Sequence, residues 1–456
     1  MSIKFYNSFT NTKEDFVPIR VGEVGMYVCG MTVYDSCHLG HARAMMAFDI
    51  LVKYLKYQNY KVNFVRNITD VDDKIIQRAA ENNESIGDLT QRNISSMHED
   101  FSTLGLELPV IEPRATEYID GMITMIEDLI EKGHAYHVDG GDVFFAVRTF
   151  EEYGKLSNKN IDDLNPGSRI AEDTSKNDPL DFVLWKSAKA GEPAWDSPWG
   201  LGRPGWHIEC SVMSFESLGQ HFDIHGGGPD LLFPHHENEI AQSECASGKK
   251  FANYWLHSGL LKINGEKMSK SLGNFAMLKD LFKIYHPEVI RYYLISSHYR
   301  SSLNYDTESL DQAKAALTRM YQSLVSIQES TDARDEEAVR GFNQAMDDDL
   351  NTPEALSILF GLSKVLNSST DAGQQIISAS TLHALGKVLG ILQDNPQSFF
   401  QFGSTLSDAE IEVQIQLRND ARDNKDFTKA DEIRDALAGQ GILLDDASSS
   451  TSWKKS

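Results

Sequence analysis

Apolar and polar positions change rhythm several times along this chain, and the changes mark its elements. Val24-Gly-Met-Tyr-Val-Cys-Gly30 is a short apolar run, which predicts a buried parallel strand emptying into a loop. From His38 to Leu55 the pattern predicts a helix, and from Lys61 to Ile68 the next strand. That order is a βαβ unit, the repeating piece of a doubly wound parallel sheet. A second round follows. It has a strand at residues 221–226 entering the glycines Gly226–Gly228, a helix from His235 to about Ala246, and a strand at Asn253–His257. Between the two rounds, an amphipathic helix is expected over Thr116–Lys132, stopped by Gly133. A hairpin is expected over His134–Val147, turning at Asp139-Gly140-Gly141. The stretch from about Phe150 to Gly205 is dense in Asn, Asp, Gly, Pro and Trp and predicts an irregular insertion.

From about Asp306 to Gln393 helical periodicity takes over. Thr352-Pro353-Glu354 there supplies an N-cap, a first-turn proline and an acidic first turn. After Asn395-Pro396 a small terminal unit is expected, with two helical stretches, a short strand at Gly441–Leu444 and a loose tail over Ala447–Ser452.

A length of 456 residues suits about three domains. The net charge of −24 argues against a general nucleic-acid coat protein, and leaves room for a selective partner met by a local basic patch. No run approaches the ~20 apolar residues that span a bilayer, and the first seven residues lack the apolar core of a signal peptide. The expectation is a cytoplasmic protein with no membrane partner. Cysteines stand at 29, 37, 210 and 245, without CxxC spacing, which argues against a zinc ribbon. They suit buried thiols, or a metal site assembled from distant segments.

Candidate chemistry gathers in a few places. His38-Leu39-Gly40-His41 puts two imidazoles in a helix's first turn, where Gly40 admits close backbone approach and the helix N-terminus favours anions. Such a site can donate to a phosphoryl group as charge develops. Lys267-Met-Ser-Lys-Ser271, after the Asn264-Gly265 turn, is a cationic loop suited to polyphosphate. Alone, His-x-x-His reads as readily as a metal fragment or a surface pair, and Lys-x-x-Lys as a solvated loop. Cys29, Cys210 and the pair His235 and Glu239 at i, i+4 offer the donor types of a tetrahedral zinc site. His207, His225 and His236 compete for the imidazole role, and both cysteines read equally well as small core residues. Thr69, Asp70, Asp72 and Asp73 either line a pocket or cap a helix. Arg418, Arg422, Lys425 and Lys429 form a basic stripe if one helix carries them. Interleaved Asp420, Asp423, Asp431 and Glu432 favour a salt-bridged face instead.

The two signatures together resemble those of class I aminoacyl-tRNA synthetases, His-Ile-Gly-His and Lys-Met-Ser-Lys-Ser, with Leu39 in place of isoleucine. Cys29–Asp35, Phe64–Lys74, Gly205–Ser211 and His225–Glu244 are similar to the cysteine-specific branch of that family, and the similarity runs over essentially the whole chain. The fold it implies is α/β, a doubly wound Rossmann-like catalytic sheet in halves 1–125 and 206–260, split by a connective insertion at 126–205. A signature-loop and stem-contact region (261–309), a tRNA-binding helical bundle (310–395) and a small anticodon-recognition domain (396–456) would follow. The implied reaction activates L-cysteine with ATP and Mg2+ to cysteinyl-adenylate and pyrophosphate, then transfers cysteine to the 3′ end of tRNA(Cys).

By the same resemblance, His38 and His41 stabilise the α-phosphoryl transition state, and Lys270, helped by Lys267, holds the β- and γ-phosphates. Gly40, Gly227, Gly228 and Asp230 contact ATP, with the carboxylate on ribose. Cys29, Cys210, His235 and Glu239 hold one zinc per chain, Trp206 closes over the substrate, and Thr69 lines its pocket. The implied enzyme is a monomer. Zinc would select the thiolate, because a serine hydroxyl is a poor ligand at neutral pH, and no editing domain is then needed. Two rivals are a ligase that joins cysteine to a small-molecule amine and a non-catalytic RNA-binding relative. The long helical region argues against the first, and intact His38, His41 and Lys270 against the second.

Overall fold

The computed structural model describes residues 2–163, 175–267, 276–327, 329–403, 406–446 and 451–455, with only the backbone at Lys267. The chain forms two compact units. The first comprises Met1–Phe275, Ser297–Asn304 and Gln344–Thr352, and the second Ala276–Ser296, Tyr305–Asn343 and Pro353–Ser456.

The first unit opens with a hairpin of β1 (Lys4–Asn7) and β2 (Thr12–Asp15). The expected βαβ unit follows as β3 (Glu23–Thr32), α1 (Leu39–Tyr57) and β4 (Lys61–Thr69). Next come α2 (Asp73–Asn82), α3 (Ile86–Thr103) and α4 (Ile119–Glu131). The hairpin β5 (Ala135–His137) and β6 (Val143–Phe145) continues into β7 (Phe182–Ser187) and β8 (Gly202–Pro204) as a four-stranded antiparallel sheet. The chain returns through α5 (Trp206–Leu218), β9 (Phe222–Gly227), α6 (Glu237–Ser247) and β10 (Ala252–His257). A small hairpin, β11 (Leu261–Ile263) and β12 (Glu266–Lys267), leads into the second signature.

The central sheet has the order β10-β9-β3-β4, with every pair parallel. β3 is apolar over most of its length because both faces of the sheet are covered there; Val24, Met26, Tyr27 and Val28 are fully buried. The strand order reverses between β3 and β9. The crevice beyond their C-terminal ends is therefore the switch point at which open α/β sheets bind ligands.

The second unit is helical. Its main helices are Thr307–Leu324, Glu336–Asp347, Thr352–Ser368 and Ala372–Leu389, and the last residues of Glu336–Asp347 and the first of Thr352–Ser368 belong to the first unit. A terminal part packs Asp408–Asp423 and Phe427–Gly439 on the two-stranded sheet Ile442–Asp446 and Thr451–Lys455.

Four expectations change. The stretch from Phe150 to Gly205 holds two strands, and fully buried Trp185 on β7 anchors them into the core. The helix expected from His235 begins at Glu237, after a separate wide turn over Leu232–His236. Thr451 and Ser452 lie in a strand rather than a loose tail, because Trp453 beside them is core. Arg418 forms no exposed stripe: it sits 7 % exposed in a two-pronged pair with Asp446, which also receives Arg422.

Candidate active site

The loop after β3 delivers His38 as the N-cap of α1. Its Nδ1 accepts from the His41 backbone N–H at 3.3 Å, and the Nδ1 of His41 accepts from the His38 N–H at 3.4 Å. The rings stack at 3.5 Å between centroids. This reciprocal cap does the work of a Ser-x-x-Glu capping box. It also fixes the tautomers, since an Nδ1 that accepts leaves the proton of a neutral imidazole on Nε2. Burial holds the pKa of His41 well below the ordinary imidazole range, which keeps the ring neutral. The first turn of α1, with Gly40 as its second residue, thus carries two neutral Nε2–H groups at a helix N-terminus.

Four chain segments converge on a second cluster. Cys29 comes from β3, Cys210 from α5, His235 from the wide turn and Glu239 from the first turn of α6, and all four are 0–3 % exposed. Their donor atoms lie within 4.8 Å of one another. The Sγ–Sγ distance is 3.7 Å, Cys29 Sγ to Glu239 Oε1 is 3.4 Å, and His235 Nε2 to the same oxygen is 3.1 Å. A tetrahedral zinc ion with ordinary bond lengths would set these edges at about 3.8, 3.5 and 3.3 Å. The cluster therefore fits zinc in donor type and in spacing. Burial, followed by the neighbouring thiol and carboxylate, pushes the Cys29 thiol up, and burial does the same to Cys210.

A second set, Cys29, His225, His236 and Glu239, shares two of these donors. His225 Nε2 stands 2.8 Å from Glu239 Oε2, however, which is hydrogen-bond length and shorter than the edge of a zinc tetrahedron. His225 stacks on Trp255 at 4.4 Å. It reads as the group that orients the second carboxylate oxygen. His207 orients His235 in the same way, Nδ1 to Nδ1 at 2.9 Å, and His236 bonds His257, which reaches Ser8. Burial lowers His207 and His257 to about 3. These supporting roles escape motif reading, although a signal was present: six of the chain's 14 histidines fall between His207 and His257.

The remaining candidates separate. Trp206, the first residue of α5, stacks on His235 at 4.2 Å and is 38 % exposed, so a substrate can reach its ring while His235 stays covered. Thr69 ends β4 in the interior and donates to Glu209 at 3.0 Å, and burial raises that carboxyl well above its usual range. Asp70 accepts from the Thr116 N–H and hydroxyl, and Asp72 caps α2 through Lys74 N–H. Asp73 holds Lys186 and Arg203 of the antiparallel sheet. Gly226 and Gly227 have packing reasons to lack side chains: a Cβ would lie 2.2 Å from Phe48 and 2.8 Å from His236 respectively. A Cβ on Gly228 would meet the carboxylate of exposed Asp230 at 2.8 Å. Lys267 ends β12, paired with Lys262, and Lys270 lies outside the described residues.

Comparison with known proteins places the chain in a family. The family model "tRNA synthetases class I (C) catalytic domain" matches residues 15–315, and the DALR domain model matches residues 341–393. The chain is 54 % identical to the cysteine–tRNA ligase of Methylococcus capsulatus, covering 99 % of this chain and 100 % of that protein. It is 55 % identical to that of Thioalkalivibrio sulfidiphilus with the same coverage. Among solved structures, methionyl-tRNA synthetase of Mycobacterium tuberculosis bound by methionyl-adenylate superposes with a TM-score of 0.58 at 14 % identity, covering 80 % of this chain and 90 % of that one, a likeness of fold. With two family models in register and full-length identity above half, the chain belongs to the cysteine–tRNA ligase family of class I aminoacyl-tRNA synthetases.

Proposed function

We propose that the chain activates L-cysteine with ATP and Mg2+ and transfers it to tRNA(Cys), with zinc held by Cys29, Cys210, His235 and Glu239 distinguishing cysteine from serine. The observation that carries this is the match between the four donors and the edges of a zinc tetrahedron, at the switch point of the sheet and beside Trp206. Zinc bound there supplies a contact that favours a thiolate over a hydroxyl. His225 orients Glu239 through its contact with Oε2, and His207 holds the ring of His235. Trp206 covers the substrate on one side. His38 and His41 donate from Nε2 to the α-phosphoryl oxygens as negative charge grows, a charge-stabilising role for fixed donors in a protected site. Gly40, Gly227, Gly228 and Asp230 follow the nucleotide, Thr69 acts through Glu209, and Lys267 and Lys270 hold the leaving pyrophosphate.

In this proposal residues 310–395 and 396–456 carry the tRNA. Support comes from a cavity of about 860 Å³ in the second unit, whose lining includes Lys283, Lys314, Arg319, Lys454 and Lys455 with Phe400. On a chain of net charge −24, that local excess of cations suits a phosphate backbone, and the ring suits stacking. The enzyme works as a cytoplasmic monomer. Among the described residues no helix is long and apolar enough to cross a membrane.

The test is ATP–pyrophosphate exchange with cysteine against serine. Cysteine is expected to exceed serine by about 10⁴-fold, the discrimination open to a site built around one polar partner. Equal exchange with both would overturn the proposal. For the cavity, a Lys454→Glu, Lys455→Glu double variant is expected to raise KM for tRNA about tenfold. It should also flatten the salt dependence by about one unit per lost phosphate contact. Exchange, which needs no tRNA, should stay at the wild-type level.

A further inference from the structure

Ser297–Ser301 opens a segment, Ser297–Asn304, that belongs to the first unit although the chain on both sides of it belongs to the second. Three elements grip it. The first is α1, the helix that carries His38 and His41. Arg43, two residues past His41 and 2 % exposed, donates to the carbonyls of Ser297 (3.4 Å), His298 (2.6 Å) and Ser301 (3.1 Å). A guanidinium can hold several carbonyls at once because its donors form a fixed fork, which an ammonium lacks.

The second is the chain entering β11, the hairpin that ends at Lys267. The Gly259 N–H donates to Tyr299 O at 2.6 Å, and the Leu303 N–H donates to Leu260 O at 2.9 Å. A Cβ on Gly259 would lie 2.1 Å from Ser301 O, so the two backbones are in direct contact.

The third is Asp349. Its carboxylate is fully buried and accepts from Tyr6 N–H (2.9 Å), the Tyr299 hydroxyl (2.8 Å) and Arg300 Nε (2.7 Å). Asp349 and Leu350 both take left-handed backbone, with φ of 63° and 54°, a conformation that Asp tolerates and that a bulky Leu rarely adopts. That turn joins the helices Glu336–Asp347 and Thr352–Ser368. The strained backbone delivers a carboxylate to Tyr299 and Arg300.

We propose that Arg43 and Asp349 are positioning residues for adenylate formation: together they hold Ser297–Ser301 as a brace that keeps the His38–His41 turn and the hairpin to Lys267 in register. The proposal rests on the reading of both signatures as ATP-binding. Neither residue touches the substrate in it. Their effect falls on the alignment of the groups that do, where a displacement of about 1 Å costs up to about 10²-fold in rate.

The test is a double-mutant cycle in the full-length enzyme. Arg43→Lys keeps the charge and loses the fork. Asp349→Asn keeps the shape and the acceptor for Tyr6 and Tyr299, and loses the charge facing Arg300. Each is expected to lower kcat/KM for ATP in pyrophosphate exchange about 30-fold, with cysteine Kd by calorimetry within about twofold. The double variant is expected to lose no more than the worse single one, because both act on one brace. Multiplicative losses, or a parallel loss of cysteine affinity, would overturn the proposal. So would unchanged exchange per folded molecule. Tyr299→Phe, which removes a single hydroxyl, covers the case in which a single variant fails to fold. A severalfold loss in the same parameter supports the brace, and unchanged exchange overturns it. Wild-type exchange measured alongside separates the two readings: an inactive wild type overturns the functional reading and this one with it, whereas active wild type with unaffected variants overturns only the brace.

Discussion

Cys210→Ser is expected to remove bound metal and cysteine selectivity together. The oxygen of serine stays protonated at neutral pH and makes a shorter, harder contact than a thiolate, so the tetrahedron loses one of its two sulfur corners. The purified variant should hold well under one zinc per chain. Its kcat/KM for cysteine in pyrophosphate exchange should fall about 10³-fold, equivalent to about 4 kcal/mol. Serine exchange, already low, should change far less, so the cysteine-to-serine ratio collapses. The cluster itself supplies the control. Cys29 and Glu239 are shared by two donor sets, one completed by Cys210 and His235 and the other by His225 and His236. His225→Asn removes the orienting bond to Glu239 Oε2 and leaves all four proposed ligands in place. Loss of an orienting partner costs about 10- to 100-fold in metal affinity, a partial defect that added zinc restores. Full zinc retention in Cys210→Ser, with outright loss in His225→Asn, would transfer the site to the other set.

The legible parts of this chain are those whose signal is local. The apolar run at Val24–Gly30, the helical spacing after His38 and the strand at Lys61–Ile68 each occupy one window, and their order implied the parallel sheet and its switch point. The i, i+4 spacing of His235 and Glu239 brings an imidazole and a carboxylate together even though α6 starts two residues later than expected, because a wide turn preserves the same side of the chain. What resisted reading depends on distant partners. The strands β7 and β8 are short, and the burial of Trp185 against the rest of the core, rather than any alternation, makes them strands. Arg418 is salt-bridged, as the interleaved acids favoured, but its partner is Asp446, 28 residues away, rather than one of those neighbours. Which of several imidazoles stands as a proposed metal donor, and which ones bond to the donors, follows from hydrogen bonds of 2.8–2.9 Å between segments, and no spacing encodes those. The same holds for Arg43 and Asp349, whose partners are main-chain carbonyls and residues 50 to more than 300 positions away.

His38→Asn is expected to separate the chemistry of the first signature from its architecture. His38 has one role in the fold and one in the proposed function: its Nδ1 caps α1 through the His41 N–H, and its Nε2 would carry the proton offered to the phosphoryl group. Asparagine is among the best N-cap residues, so its carbonyl oxygen can take over the cap, at a cost to stability well under about 1 kcal/mol. Its amide cannot reproduce a donor at the far edge of an imidazole ring. Exchange with cysteine should therefore fall about 10²- to 10³-fold, the usual loss when one fixed donor to a developing oxyanion is removed, while Tm and cysteine Kd stay near wild type. His38→Ala loses both functions, and should add a cap defect of about 1 kcal/mol to the same catalytic loss. The pair thus measures the two roles independently. If His38→Asn kept wild-type exchange, the ring would be serving only as a cap, and the donors to the phosphoryl group would have to be sought elsewhere in the crevice. If its Tm fell as far as that of His38→Ala, the asparagine would not be capping, and the catalytic loss would be inseparable from a frayed first turn.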